Sequence, residues 1–470
     1  MQYISTRGEV SALTFGDVLL TGLASDGGLY VPQAWPELLT GEPPSGVLSW
    51  NPDEGSYADL AAEVMWPFVE GVYARHRFEE IVGDAYVRFD HPDVVPMVEV
   101  GDGIWLMELF YGPTLAFKDI ALQLVGRLFA EELQRRGSQV TIVGATSGDT
   151  GSAAIEAVKD RPNIQIVILH PHGRVSDVQR RQMTTVDSPN VHNVAIEGTF
   201  DDCQDLVKAM FGDTAFRNEQ RLSAVNSINW ARVMAQMVYY VAAAQRLGNE
   251  VVSFCVPTGN FGNVFAGYAA QQMGLAVSRF VVASNRNDIL TQFFTSGTMT
   301  IGEVYSTLSP SMDIQVSSNL ERLLFELLGR DGRSTARLLK DFRVAGQMRI
   351  SESIREVLRG SWVGIKVDDE TTLQTIAACY RDSGKIIDPH TAVGLTAARR
   401  SHVQGEGAMV VMATAHPAKF ADTVQSAIGC SVPVPSALAG LVDRPERYEV
   451  FPNDLKTVKA HVARCATGLV

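Results

Sequence analysis

One lysine sits in an unusual setting. Lys118 falls near the end of the run Phe110-Tyr111-Gly112-Pro113-Thr114-Leu115-Ala116-Phe117-Lys118-Asp119, at the start of a helix and between Phe117 and Ile120. Apolar surroundings disfavour the charged form of an amine. The neutral form is the one that attacks an aldehyde to make a Schiff base. The same residues also allow an ordinary lysine paired with Asp119.

Two loops carry a different chemistry. Gly144-Ala145-Thr146-Ser147-Gly148-Asp149-Thr150-Gly151 follows a strand and opens a helix. Free backbone N–H groups and the helix dipole favour an anion there, and Thr146, Ser147 and Thr150 add hydroxyl donors. No lysine follows the last glycine, so this is not a Walker loop, and the glycine spacing does not fit Gly-x-Gly-x-x-Gly. Pro257-Thr258-Gly259-Asn260-Phe261-Gly262-Asn263 repeats the idea after a second strand. Successive N–H groups in such a turn form a nest for phosphate oxygens. Each loop alone also reads as a plain strand–helix connection; the two loops together with the lysine are harder to explain that way.

The elements around them read as strand, glycine loop and helix in rotation. Short apolar runs at Val140–Val143, Ile164–Leu169, Val191–Ile196, Val251–Val256, Phe280–Ala283 and Ala408–Ala413 are typical of strands buried on both faces. Helices are expected from Ser152 to about Lys159, from Trp230 to Leu247 and from Val264. The rotation implies βαβ units and a parallel sheet. Upstream, the Pro/Gly-rich stretch 41–55 reads as a loop, and Leu60, Val64, Phe68 and Val72 give Ser56–His76 a helical period. Residues 290–385 carry helical patterns and few strand signals. They read as a helical insertion, with an independent helical domain as the alternative.

Composition removes several classes. At ~150 residues per domain the chain predicts two to four domains. With 46% apolar and 20% charged residues it builds real cores, which excludes bulk disorder. Its 40 basic and 53 acidic residues leave a net charge of −13, against the basic patch that a nucleic-acid surface needs. Cys203, Cys255, Cys379, Cys430 and Cys465 are scattered, which opposes a disulfide framework or thiolate zinc site and fits a reducing compartment. The start lacks the apolar core of a secretory signal and no run approaches a membrane span. A cytoplasmic enzyme without nucleic-acid or membrane partners is expected. No Gly-x-Ser-x-Gly elbow supports hydrolase chemistry. His170 and His172 lack a third metal ligand nearby in sequence, so no metal is expected. Arg180 and Arg181 read as a solvated helix face or a phosphate contact.

Phe-x-x-x-Lys-Asp, Thr-Ser-Gly-Asp-Thr-Gly and Thr-Gly-Asn-Phe-Gly-Asn, in this order, resemble the fold-type II pyridoxal-phosphate enzymes. Further stretches are similar to the threonine synthase family: Thr6–Gly8, Asp26–Pro32, Asn226–Arg232 and Thr414–Phe420. The resemblance covers nearly the whole chain. It points to the longer bacterial and fungal branch, with no obvious counterpart of the plant-type N-terminal regulatory extension.

The resemblance implies an α/β fold with two parallel-sheet domains of the tryptophan synthase β type, an N-terminal domain and the helical insertion. With the chain pattern, it divides into 1–95, 96–225 with Lys118 and the Ser/Thr/Gly loop, and 226–470 with the second loop and the insertion at about 290–385. It implies pyridoxal 5'-phosphate as cofactor. The implied reaction turns O-phospho-L-homoserine and water into L-threonine and phosphate, the last step of threonine biosynthesis. The alternative is a phospho-lyase of the same fold that releases 2-oxobutyrate; a ligand-binding relative without activity would be expected to damage Lys118 or the second loop, and both are intact. A monomer or weak homodimer is expected.

By the resemblance, Lys118 is the lysine that holds the cofactor and shuttles protons. Gly259, Asn260, Phe261, Gly262 and Asn263 hold the cofactor phosphate, and the Thr414 hydroxyl faces the pyridine nitrogen. Thr146, Ser147, Asp149 and Thr150 belong to the loop for the substrate carboxylate. Ser227, Asn229 and Arg232 belong to the segment that approaches the substrate phosphate. Many fold-type II enzymes carry Asn where this chain has Asp149, and an ionised Asp cannot donate to the cofactor as that Asn does. His416 is read as ordering the Thr414 loop.

Overall fold

The computed structural model describes residues 1–38, 50, 54–224, 227–248, 250–403 and 405–468. The loop expected at 41–55 lies for the most part outside these residues, and so does Asn226. Packing divides the chain into two compact units. One comprises Met1–Val18, Leu23–Gly112 and Ser227–Pro433; the other comprises Leu19–Gly22, Pro113–Asn226 and Val434–Val470.

The first unit is built on a six-stranded sheet in the order Trp362–Lys366, Val277–Ser284, Val252–Pro257, Met409–Ala413, Ile104–Glu108, Met97–Glu99. The first five strands are parallel and the last is antiparallel to its neighbour. Val252–Pro257 and Met409–Ala413 are buried along their whole length. That is why they read as unbroken apolar runs, since helices cover both faces of a parallel sheet.

Of residues 1–95, Met1–Val18 and the described residues from Leu23 onward group with this unit, and not as a separate domain. Tyr3–Ser5 pairs antiparallel with Tyr30–Pro32. The rings of Tyr3, Trp35 and Phe68 surround Trp230 on the long Trp230–Arg246 helix. The helix expected over Ser56–His76 ends at Val69, short of the left-handed Gly71, and a second helix runs from Arg75 to Tyr86.

The stretch 290–385 differs from a helical insertion or an independent helical domain. Its helices are present at Leu320–Leu327, Gly332–Ala345, Glu352–Leu358 and Asp369–Ser383. It also supplies Trp362–Lys366, the edge strand of the main sheet. Gly364 lies in that strand because a Cβ there would meet Thr291 Cα at 2.8 Å, on the helix Ile289–Ser296.

The second unit is built on a five-stranded sheet in the order Glu449–Pro452, Val191–Glu197, Ile164–Pro171, Val140–Ala145, Leu222–Ser223, parallel throughout. Ile164–Pro171, at its centre, is buried at every position. The C-terminal helix Leu455–Thr467 places Val458, Val462 and Cys465 in one core with Val143, Val167, Val194, Cys203 and Met210. The chain's end therefore completes this unit, not the sheet that precedes it in sequence. The boundaries differ in this respect from a 226–470 domain. No helix of the described residues is long and apolar enough to cross a membrane.

Candidate active site

In the second unit, a tight turn sets Lys118 at the head of the helix Lys118–Arg136. Leu115 takes a left-handed conformation with φ 60, uncommon for a residue with a side chain. Fully buried Asp119 accepts from Thr114 N and Thr114 Oγ1, both at 2.7 Å, and so holds the turn. Lys118 Nζ lies 3.6 Å from Asp149 Oδ2. Both side chains are largely shielded from solvent.

Asp149 is the first residue of the helix Asp149–Val158, which begins three residues earlier than the apolar pattern indicates. An acid there is favoured by the helix dipole. Its Oδ1 accepts from Gln179 Nε2 at 2.8 Å. Asp149 is thus a hydrogen-bond acceptor facing a cation, the opposite of the donor role of an Asn. Gly148 makes room for this: a Cβ there would lie 2.6 Å from Gln179 Cδ. Thr146 turns inward, and its Oγ1 accepts from Gly148 N at 3.0 Å and Gly151 N at 2.9 Å. Ser147 is exposed and Thr150 partly so.

Arg180 and Arg181 are engaged with the C-terminal segment. Arg180 grips Glu446 with two bonds of 2.8 and 3.0 Å, and Arg181 Nη1 donates to Val442 O. Glu446 is held at a pKa of about 2, chiefly by its hydrogen bond from Arg180.

In the first unit, the Gly259–Asn263 loop runs from the strand Val252–Pro257 into the helix Gly262–Gln272. Phe261 is left-handed, with φ 63, and is fully buried against the rings of Phe294 and Trp362. It gives the helix no side-chain cap. The first N–H groups of a helix lack intrahelical partners, and they attract anions. A Cβ on Gly259 would lie 2.7 Å from Ser311 O, so only glycine fits that backbone path. Asn263 Oδ1 accepts from Tyr239 OH at 2.6 Å and Tyr240 OH at 2.8 Å. Its Nδ2 is buried with no hydrogen-bond partner among the described residues. An uncapped helix start, a glycine cradle and an unmatched buried donor fit a phosphate-bearing group.

Thr414 follows the strand Met409–Ala413 and is 7% exposed. His416 Nδ1 accepts from Ala418 N at 3.1 Å, which fixes the turn after Thr414. Burial lowers the His416 pKa, the carboxylates of Glu108 and Asp388 opposing. Glu108, at the end of a neighbouring strand, accepts from Tyr111 OH at 2.9 Å and Lys385 Nζ at 3.1 Å.

Ser227, Asn229 and Arg232 lie around the start of the Trp230–Arg246 helix. Asn229 is its N-cap, Oδ1 accepting from Ala231 N at 3.0 Å. Arg232 is 3% exposed, and its Nε and Nη1 have no hydrogen-bond partner among the described residues. Burial brings its pKa down to about 10, with Tyr239 opposing. A buried guanidinium with two unmatched nitrogens is costly, and a phosphate would match its fork of donors.

Gln179, Asn319 and Arg322 were not legible as site residues. Ser176-x-x-Gln179 has the spacing of a capping box, but the Gln179 amide reaches Asp149 instead. Asn319 binds the carbonyls of Ser227 and Asn260, and Arg322 that of Ile228. Neither belongs to a recognisable motif.

Comparison with known proteins matches residues 2–86 to the family "Threonine synthase N terminus", 95–359 to "Pyridoxal-phosphate dependent enzyme" and 391–462 to "Threonine synthase, C-terminal". A threonine synthase of Pseudomonas aeruginosa is 51% identical, over 99% of this chain and 98% of its own. The crystal structure of pyridoxal-phosphate-bound threonine synthase from Brucella melitensis superposes with a TM-score of 0.94 at 46% identity, covering 99% of both chains. The yeast threonine synthase structure gives 0.92 at 36% identity, again covering 99% of both chains.

Proposed function

The chain belongs to the threonine synthase family of pyridoxal-phosphate-dependent enzymes, and from this we propose how its residues divide the work. The reaction converts O-phospho-L-homoserine and water into L-threonine and phosphate. Bound pyridoxal phosphate supplies the electron sink for carbanions at Cα and then Cβ.

Lys118 binds the cofactor covalently and, once released by substrate, carries protons to and from the substrate carbons. Asp149, 3.6 Å from Lys118 Nζ, favours the ammonium when Lys118 holds a proton to deliver. The N–H groups of the Gly259–Asn263 loop and the Asn263 amide hold the cofactor phosphate. Thr414 presents a hydroxyl to the pyridine nitrogen, which does not force that nitrogen to stay protonated as a carboxylate would. Thr146, Ser147 and Thr150 form the loop that receives the substrate carboxylate, with Thr146 also bracing it. Arg232 receives the substrate phosphate, with Ser227 and Asn229 beside it in sequence.

The observation that carries the substrate assignment is Arg232, buried with two unmatched donor nitrogens. Charge on the leaving phosphate grows as the Cγ–O bond breaks, so a fixed guanidinium helps the transition state more than the ground state. Incubation with O-phospho-L-homoserine is the test. Threonine and phosphate in equal amounts support the synthase; 2-oxobutyrate would identify the phospho-lyase. The net charge of −13 supports an enzyme that works without nucleic acid, and the scattered cysteines support a reducing, cytoplasmic compartment.

A further inference from the structure

We propose that Asn319 is a positioning residue that sets the cofactor-phosphate loop and the substrate-phosphate segment in one geometry. Within the first unit, Asn319 Nδ2 donates to Asn260 O at 2.9 Å and to Ser227 O at 3.2 Å. Asn319 N also donates to Asn260 O, at 3.1 Å. Two residues earlier, Ser317 Oγ donates to Gly259 O at 2.7 Å. Two successive carbonyls of the loop are thereby tied to one side.

The consequence follows from the peptide plane. In a trans peptide the C=O and the next N–H point in opposite directions. Drawing the Gly259 and Asn260 carbonyls toward Ser317 and Asn319 turns the N–H groups of Asn260 and Phe261 the other way. Carbonyls that would repel an anion are turned aside, and donors are presented in their place. The left-handed Phe261 then directs the chain into the Gly262–Gln272 helix.

The conformation of Asn319 shows where its side chain is spent. It occupies the N-cap position of the helix Leu320–Leu327 and yet forms no side-chain cap. An asparagine there ordinarily gives its oxygen to the helix N–H groups. Here the oxygen is held by Arg322 Nη1, which leaves the amide nitrogen directed at the two loops. Arg322 is fully buried and also donates to Ile228 O at 2.6 Å and Tyr30 O at 3.0 Å. It braces Asn319 against the same substrate segment and against the strand that follows Asp26-Gly27-Gly28-Leu29.

The inference rests on the reading of Gly259–Asn263 as the phosphate loop, and Asn263→Asp, which removes the unmatched amide donor and keeps the acceptor for Tyr239 and Tyr240, tests that reading separately. Asn319→Asp is the informative variant. An ionised carboxylate still accepts from Arg322 but cannot donate to either loop carbonyl. Asp keeps the acceptor for Arg322, so a loss seen in the folded variant is not a loss of that anchor. Losing a buried donor should cost roughly tenfold or more in binding.

Cofactor release from the holoenzyme is measured by dialysis, and KM for O-phospho-L-homoserine at saturating cofactor. Asn319→Asp should release cofactor about tenfold more readily and raise KM together. Ser317→Ala, a milder change, should weaken cofactor retention by a few-fold, and it decides the matter if Asn319→Asp does not fold. Wild-type retention in the folded Asn319→Asp, or in Ser317→Ala where Asp does not fold, overturns the inference if Asn263→Asp releases cofactor. If Asn263→Asp also retains it normally, the phosphate-loop reading itself fails and the inference with it.

Discussion

The Asp149 carboxylate stands 3.6 Å from the Lys118 ammonium with one oxygen and accepts from Gln179 with the other. Ser176 Oγ donates to Gln179 Oε1 at 2.9 Å, so the acceptor role of Asp149 is set by a short chain of side chains. This arrangement places a negative charge where an asparagine would place a donor.

It follows that Asp149→Asn should slow proton transfer without detaching the cofactor. A fall in kcat of ~10²-fold is expected, the scale of positioned acid–base catalysis. Gln179→Leu should cost less, because Asp149 keeps its charge and loses only its alignment. Steady-state product formation measures both, and wild-type kcat in Asp149→Asn would show the pairing to be incidental.

Arg232 should separate stability from activity. Arg232→Lys keeps the charge and loses the fork, so kcat/KM should fall by about 2–4 kcal/mol, as for other fixed electrostatic donors. The absorbance of the lysine-bound cofactor should not change. Arg232→Met removes a buried charge with two unmatched nitrogens and should be at least as stable as the wild type while losing turnover. A Met variant that is both active and less stable would make Arg232 a structural residue.

Glu446 gives a pH signature. Its folded pKa of about 2 lies below the ordinary 4.5, chiefly because of its hydrogen bond from Arg180. A depressed carboxyl pKa contributes stability above the unfolded value and loses it as pH falls through the folded value. The stability gap between wild type and Glu446→Gln should therefore be constant above pH 4.5 and close between there and about 2. Denaturant melts across that range measure it; a gap that widens toward acid would reverse the assignment.

How far the sequence could be read depended on burial. Ile164–Leu169 was legible as a strand because every residue of it is buried. Trp362–Lys366 was not, since an edge strand is partly exposed and this one contains Gly364. Glu449–Pro452 was hidden for the same reason, largely exposed and paired with Val194–Glu197 far away in sequence. At the candidate site, Lys118 and the glycine loops stood out because turns and helix starts demand particular residue types. Gln179 and Asn319 did not, because a side-chain amide acts through partners that only the fold brings near. The pairing of Lys118 with Asp149, 31 positions further on, was equally beyond a local pattern.

The central claim is that Lys118 carries the cofactor. Lys118→Ala should abolish turnover, but loss of activity alone does not locate the linkage. Borohydride reduction of the holoenzyme, followed by proteolysis and mass analysis, does so directly. The account predicts one peptide bearing the reduced cofactor, spanning Lys118 and absent from Lys118→Ala. A modified peptide containing Lys385 or Lys419 instead would contradict it.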